Sequence, residues 1–340
     1  MEATVAAILA SGKGILAADE SFPTIEKRFK AISIPPTEEN RRAYRELLFT
    51  TPGLNAFISG AILFDETLRQ KARNGIPLSE VLVKQGIVPG IKVDKGTTVL
   101  ANFADEKITQ GLDGLRDRLV EYGQLGARFT KWRAVIAIGE HLPTRTCIEA
   151  NARVLALFAA LSQEAGLVPI VEPEVLMDGD HTIARCEEVA GATLRSVLDA
   201  LLDHRVILEQ MLLKTGMILA GPECPQQAGV AEVAGTTLRC LRRFVPAAVP
   251  GILFLSGGQS DEAATERLNA ICNAADVPWK LSFSFGRALQ SPALKIWQGI
   301  AGNVPAAQTA LHHRAQCNGF AVRGKYSTRM EGPDGARRRE

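Results

Sequence analysis

The chain has 340 residues, 46% hydrophobic and 22% charged, which supports a large buried core and excludes a short module held together by disulfide or metal staples. Its 39 basic and 37 acidic side chains leave a formal net charge of +2, so there is no general electrostatic case for nucleic acid, and anion preference is expected only in local pockets. Six cysteines without a CxxC pair, an acidic Glu2 where a leader would be basic, and an apolar run at 5–10 too short to cross a bilayer predict a soluble cytoplasmic protein with reduced thiols and no membrane partner.

Short runs rich in Ile, Val, Leu and Phe recur along the chain, at 15–19, 57–64, 87–95, 128–136, 168–174, 209–214, 251–256 and 281–287. Each reads as a strand. The segments between them are long enough for crossover helices. Thr37 is a candidate N-cap with Glu38 and Glu39 in the first turn; Leu112, Leu115 and Leu119 share one helical face; residues 150–164 and 189–202 have helical content with few breakers. No linker rich in Pro, Gly or Ser divides the chain, so residues 1–326 read as one domain and 327–340, with Arg337, Arg338 and Arg339, as a short polar tail.

Eight strand–helix units predict an α/β fold, a (β/α)8 barrel, with a doubly wound open sheet as the competing architecture. The barrel is favoured because chemistry-bearing residues fall at the ends of the runs: Asp19, Lys95, Lys131, Glu172 with Glu174, Lys214, Ser256 and Arg287. Strand alternation puts Lys131 and Arg133 on one side of their strand, and Glu172 and Glu174 on one side of theirs. Turned inward, these groups would share a small volume. A structural network of ion pairs is one reading; the other is a nucleophilic amine tuned by its neighbours. Lys214, after the longest uncharged run, is the best candidate to form an iminium with a ketone. Glu172 and Glu174 would then move protons, Asp19 would accept a hydroxyl proton, and Lys95 and Lys131 would stay cationic.

LSGGQS at 255–260 and FGR at 285–287 place Ser256, Gly257, Gly286 and Arg287 after the last two strands, a common phosphate position in this fold. ADESFPTIEKR offers Ser21, Thr24, Lys27 and Arg28 after the first strand, expected across the mouth from that phosphate site. Two anchors suggest a bisphosphate substrate. The GKG at 12–14 is no phosphate loop, since it precedes its strand and lacks GxxxxGK[ST]. His141, His181 and His204 are isolated, and His312 and His313 lack a ligand-spacing pattern, so no metal and no cofactor is expected. No aromatic–basic interleaving suggests nucleic acid.

GKGILAADES (12–21), TEENRRAYRELL (37–48), ILFDETL (62–68), GIKVDKG (90–96), KWR (131–133), IVEPE (170–174), LLK (212–214), FLSGGQS (254–260) and GRAL (286–289) together resemble, in order, the metal-independent class I fructose-1,6-bisphosphate aldolases. The resemblance spans about residues 12–326. It implies reversible cleavage of fructose 1,6-bisphosphate to dihydroxyacetone phosphate and glyceraldehyde 3-phosphate in glycolysis and gluconeogenesis, by a homotetramer of (β/α)8 subunits. Lys214 would form the Schiff base, Glu172 would act as its acid and base, and Asp19 would deprotonate the C4 hydroxyl beside Lys131. Arg133 and Glu174 would support the charge network. Ser256, Gly257, Gly286 and Arg287 would bind the 1-phosphate, and Lys95, Ser21 and Thr24 the 6-phosphate. Another Schiff-base aldolase or transaldolase, or a non-catalytic scaffold, remains the alternative. Two departures stand out. The sequence ends GPDGARRRE where many relatives carry a terminal tyrosine that assists proton exchange at C1 of the enamine, and Phe285 stands where relatives often have tyrosine.

Overall fold

The computed structural model describes residues 1–332, so Arg337–Arg339 of the expected tail lie outside the described residues. Eight parallel strands close into a barrel: β1 (Gly14–Ala18), β2 (Ile58–Leu63), β3 (Val88–Lys92), β6 (Phe129–Ile136), β7 (Val168–Val175), β8 (Leu212–Thr215), β9 (Gly251–Phe254) and β10 (Lys280–Phe285), in the order β1-β10-β9-β8-β7-β6-β3-β2. β1 pairs with both β10 and β2. Closure overturns the open-sheet alternative. An antiparallel hairpin, β4 (Thr97–Leu100) with β5 (Phe103–Thr109), is inserted after β3 and was not anticipated, because its polar, exposed strands carry little of the apolar signature of a barrel strand.

Several run boundaries shift. Residues 208–210 form a 3-10 turn, so β8 starts at Leu212; Arg287 opens a helix instead of ending a strand; and β6 runs to Ile136 as expected, so Lys131 is its third residue and does not stand at its end. Lys95 lies three residues past β3, where its N–H bonds Gln110 O at 2.8 Å to join the hairpin. The helix reading is sounder. Thr37 caps Glu38–Phe49 by accepting from Asn40 N, and long helices cover Arg145–Glu164 and Ile183–Asp203. Leu112 precedes the helix Leu115–Gln124.

The interior is built from alternate strand positions. Ile15, Ala17, Ile62, Phe129, Val168, Ile170, Leu212 and Leu253 form a cluster with Val5 and Ile8 of the N-terminal helix Glu2–Ile8 and with Leu9 just past its end. That helix therefore covers the end of the barrel where the strands begin. At Gly90 a Cβ would lie 2.2 Å from Phe129, so glycine makes the room that the aromatic ring fills. The intervening residues face outward: Trp132 is fully buried and stacks on Phe158 of the helix Arg145–Glu164, ring centroids 5.5 Å apart.

Two residues further along each strand the interior changes from apolar to charged. Ala17 is followed by Asp19, Gly90 by Lys92, Phe129 by Lys131, Ile170 by Glu172 and Leu212 by Lys214. An apolar floor beneath a layer of ions is costly, at several kcal/mol for each unpaired charge, so the charges must satisfy one another.

Candidate active site

Lys131 is the hub. Its Nζ lies 2.6 Å from Asp19 Oδ2 and 3.3 Å from Glu172 Oε2, while Lys214 Nζ lies 2.8 Å from Glu172 Oε1. The side chains of Lys131, Glu172 and Lys214 are at most 5% exposed, and that of Asp19 is 11% exposed. Glu172 thus bridges two lysines from the strands on either side of β7, through one oxygen each. Its Oε2 makes an ion pair with Lys131 but no hydrogen bond, which leaves that oxygen able to accept one.

Burial alone would push the Asp19 carboxyl up, but the charges of Lys131 and Lys214 outweigh it and hold the group below its usual range. The same contest at Glu172, with Lys214, Lys131 and Arg133 opposing burial, also ends below the usual value. Burial would lower Lys131, yet Asp19, Glu172 and Asp94 raise it, so it is a permanent cation. The signs bound the pH window of the trio. The carboxylates contribute stability that is complete above their unfolded values of about 4 and lost as pH falls through the lower folded values; Lys131 contributes below about 10.4 and loses it as pH rises through its higher folded value. The urea midpoint of the protein relative to an Asp19→Asn variant should therefore be flat from about pH 5 to 9, with the advantage shrinking in acid. An advantage that grew below pH 4 would contradict the sign.

Further charges surround this core. Arg133 pairs with Glu174, Lys92 pairs with Asp94, and Asp94 Oδ2 also accepts from Arg133 N at 3.3 Å. All open on one cavity of about 360 Å³ at the C-terminal mouth, which Asp19, Ser21, Thr24, Arg28, Ser256, Gly257, Ser284, Gly286 and Arg287 also line. A groove of about 630 Å³ between Arg145–Glu164 and Ile183–Asp203 is larger, but none of these groups reaches it.

The phosphate-site candidates assemble as two loops and a helix start. Gly257 and Gly258 have φ of +24° and +76°, a turn that an L side chain strains, and Gly286 precedes the helix Arg287–Trp297, whose first N–H groups and dipole suit an anion. Ser284, absent from the sequence reading, is buried there with no partner for its hydroxyl among the described residues. Alternation along β10 was the signal for it.

The loop after β1 does not lie across the mouth from this site. β1 hydrogen-bonds β10, so Ser21, Thr24 and Arg28 are its neighbours, and a Cβ at Gly286 would lie 3.7 Å from Arg28 Nη2. Arg28 pairs with Glu20, which also forms an ion pair with Arg45 at 2.5 Å and accepts from Gln290 Nε2 at 2.9 Å. Lys27 is exposed and does not line the cavity. Lys95 is exposed too and lines an adjoining cavity of about 610 Å³. Lys92, on β3 beyond β2, lines both cavities and supplies the inward cation of GIKVDKG.

Comparison with known proteins matches residues 1–339 to the family model described as fructose-bisphosphate aldolase class-I. A probable fructose-bisphosphate aldolase class 1 from Xanthomonas campestris pv. campestris is 57% identical over 324 residues, 95% of this chain and 97% of that protein. Fructose-bisphosphate aldolase 1 of Toxoplasma gondii is 52% identical over 94% of this chain and 88% of that protein. Among solved structures, Plasmodium falciparum fructose-bisphosphate aldolase, in complex with TRAP and a small molecule inhibitor, superposes with a TM-score of 0.95 at 49% identity, covering 96% of this chain and 94% of that one.

Proposed function

Because the chain belongs to the class I fructose-bisphosphate aldolase family and so catalyses reversible aldol cleavage of fructose 1,6-bisphosphate, we propose that Lys214 is the amine that attacks the substrate's C2 ketone. The observation that carries this assignment is its Nζ, 2.8 Å from Glu172 Oε1 on the mouth of the barrel. Attack by the free amine forms a C–N bond and a carbinolamine. Glu172 takes the proton that Lys214 sheds to become the free amine and then delivers it to the C2 hydroxyl, which departs as water and leaves an iminium. Asp19 then accepts the C4 hydroxyl proton, the C3–C4 bond breaks, glyceraldehyde 3-phosphate leaves, and the electron pair enters the enamine. Protonation and hydrolysis release dihydroxyacetone phosphate and restore Lys214.

Each neighbour supports a step. Lys131, held between Asp19 and Glu172, keeps both carboxylates ionised and in place. Glu174 and Arg133 hold the next shell of charge, with Arg133 tied to Asp94 through its backbone. Ser256, Gly257, Gly286 and Arg287, joined by Ser284, bind the 1-phosphate; Ser21 and Thr24, with Lys92 on the far flank of β1, bind the 6-phosphate, and Lys95 approaches that end from the adjoining cavity. Tyr326 does not line the mouth.

Borohydride added with fructose 1,6-bisphosphate should leave a dihydroxyacetone phosphate-sized adduct on Lys214, located by peptide mass, and a chelator should leave turnover unchanged. An adduct on another lysine, or none in active enzyme, would overturn the assignment. Arg287→Ala should raise KM for the bisphosphate about 10- to 100-fold with a smaller change in kcat, the worth of one charged hydrogen bond to phosphate. Steady-state kinetics on fructose 1,6-bisphosphate and fructose 1-phosphate check this, since both carry the 1-phosphate and should suffer alike.

We also propose a cytoplasmic homotetramer built of one barrel domain per chain, on the strength of the family resemblance. No helix among the described residues is long and apolar enough to cross a membrane. Sedimentation velocity tests the assembly.

A further inference from the structure

His313 and Cys317 lie one helical turn apart on the helix Val304–Val322, and the chain then doubles back so that Glu331, in the turn Thr328–Glu331, meets them. His313 Nε2 is 3.7 Å from Cys317 Sγ and 3.7 Å from Glu331 Oε2, and the three donor atoms all lie within 4.8 Å of one another. Around a tetrahedral zinc ion, with Zn–N and Zn–O of about 2.0–2.2 Å and Zn–S of about 2.3 Å, neighbouring donors would stand about 3.3–3.6 Å apart. The two spacings from His313 Nε2 need only a few tenths of an ångström of contraction, and the Cys317–Glu331 spacing, within 4.8 Å, closes by about an ångström at most as the ion draws the Thr328–Glu331 turn in.

The surroundings hold the donors in this pose. Arg314 Nη1 and the Tyr326 hydroxyl bond Glu331 Oε1 at 2.5 and 2.9 Å, which fixes the carboxylate and leaves Oε2 turned to the imidazole. The histidine's Nδ1 finds no partner among the described residues, so the ring is oriented from its Nε2 side. Cys317 is fully buried and His313 and Glu331 are partly exposed, giving a site closed on the sulfur side with room for a water or other fourth ligand outside.

We propose that His313, Cys317 and Glu331 form a binding site for a zinc-class divalent cation, outside the aldol site, that staples the segment Thr328–Glu331 to the helix Val304–Val322. The sulfur ligand selects borderline and soft cations over Mg²⁺ and Ca²⁺. Binding forms Zn–S, Zn–N and Zn–O bonds, and the thiol proton leaves to solvent with no change in oxidation state. The thiolate and carboxylate charges offset the Arg314 guanidinium, which bonds the carboxylate oxygen that the metal does not use. The site is independent of the Schiff-base assignment, so either can fail without the other.

Chelator-stripped protein titrated with Zn²⁺ and Cd²⁺ in a calorimeter should bind one ion per chain, and Cd²⁺ should add an ultraviolet thiolate-to-metal absorption. Cys317→Ser should abolish that absorption and weaken binding at least about 100-fold, more than a merely supporting residue is worth; His313→Ala should weaken it similarly. Circular dichroism verifies that both variants fold, and the metal-free Cys317→Ser protein should keep its aldol turnover. Absence of a thiolate band, an equal band in Cys317→Ser arising from the other cysteines, or equal affinity for Mg²⁺ would each overturn the proposal.

Discussion

Lys214→Arg should abolish borohydride trapping and lower kcat by at least about 10⁴-fold, the scale of losing the nucleophile in an enzyme that works through a covalent intermediate. The substitution keeps a cation beside Glu172, so the electrostatics of the core change little, but a guanidinium is always protonated and has no free electron pair to offer a ketone. Lys214→Met removes the cation as well and should be just as inactive, with Glu172 still paired to Lys131 at 3.3 Å. If arginine retained even a few per cent of the turnover, Lys214 would be an electrostatic partner and some other amine the nucleophile. Mass analysis after reduction, alongside kcat, separates the two cases.

Lys131→Met should cost both activity and stability. This side chain, 4% exposed, is, among the described residues, the only ion-pair partner of Asp19 and one of two for Glu172. Breaking a buried pair from one side leaves a carboxylate without compensation and typically costs about 3–5 kcal/mol, read as a lower urea midpoint. With its cation gone, the Asp19 carboxyl rises, so less of it is in the base form, and kcat should fall by about 100-fold or more with its acid limb displaced to higher pH. Calorimetric or urea unfolding measures the first effect and a pH–kcat profile the second. An unchanged profile would show that Asp19 does not act as the base.

The fold class and most of the inner charge layer were legible because strand alternation is a local property. Once β7 is recognised, Glu172 and Glu174 must share a side, and the same rule sets Lys131 with Arg133. Alternation also contained Ser284, two residues before Gly286, and Lys92, two after the inward Gly90, but selecting residues by the apparent end of each run passed over both. The run ending at Lys95 extended through a segment that leaves the barrel for the hairpin β4–β5, and nothing in GIKVDKG marks where strand pairing stops.

What the residues alone determined was therefore periodicity and chemistry: eight apolar runs, the inward lysines and carboxylates, and motifs specific enough to name a family. Which strands are neighbours was decided by tertiary structure, since the bond between β1 and β10 joins segments more than 250 residues apart and places Ser21, Thr24 and Arg28 beside Gly286 instead of across from it. The meeting of Glu331 with His313 and Cys317 has the same origin. Chain direction after a helix is set by what the returning segment packs against, and Arg314 and Tyr326 supply that anchorage through contacts that no local pattern encodes.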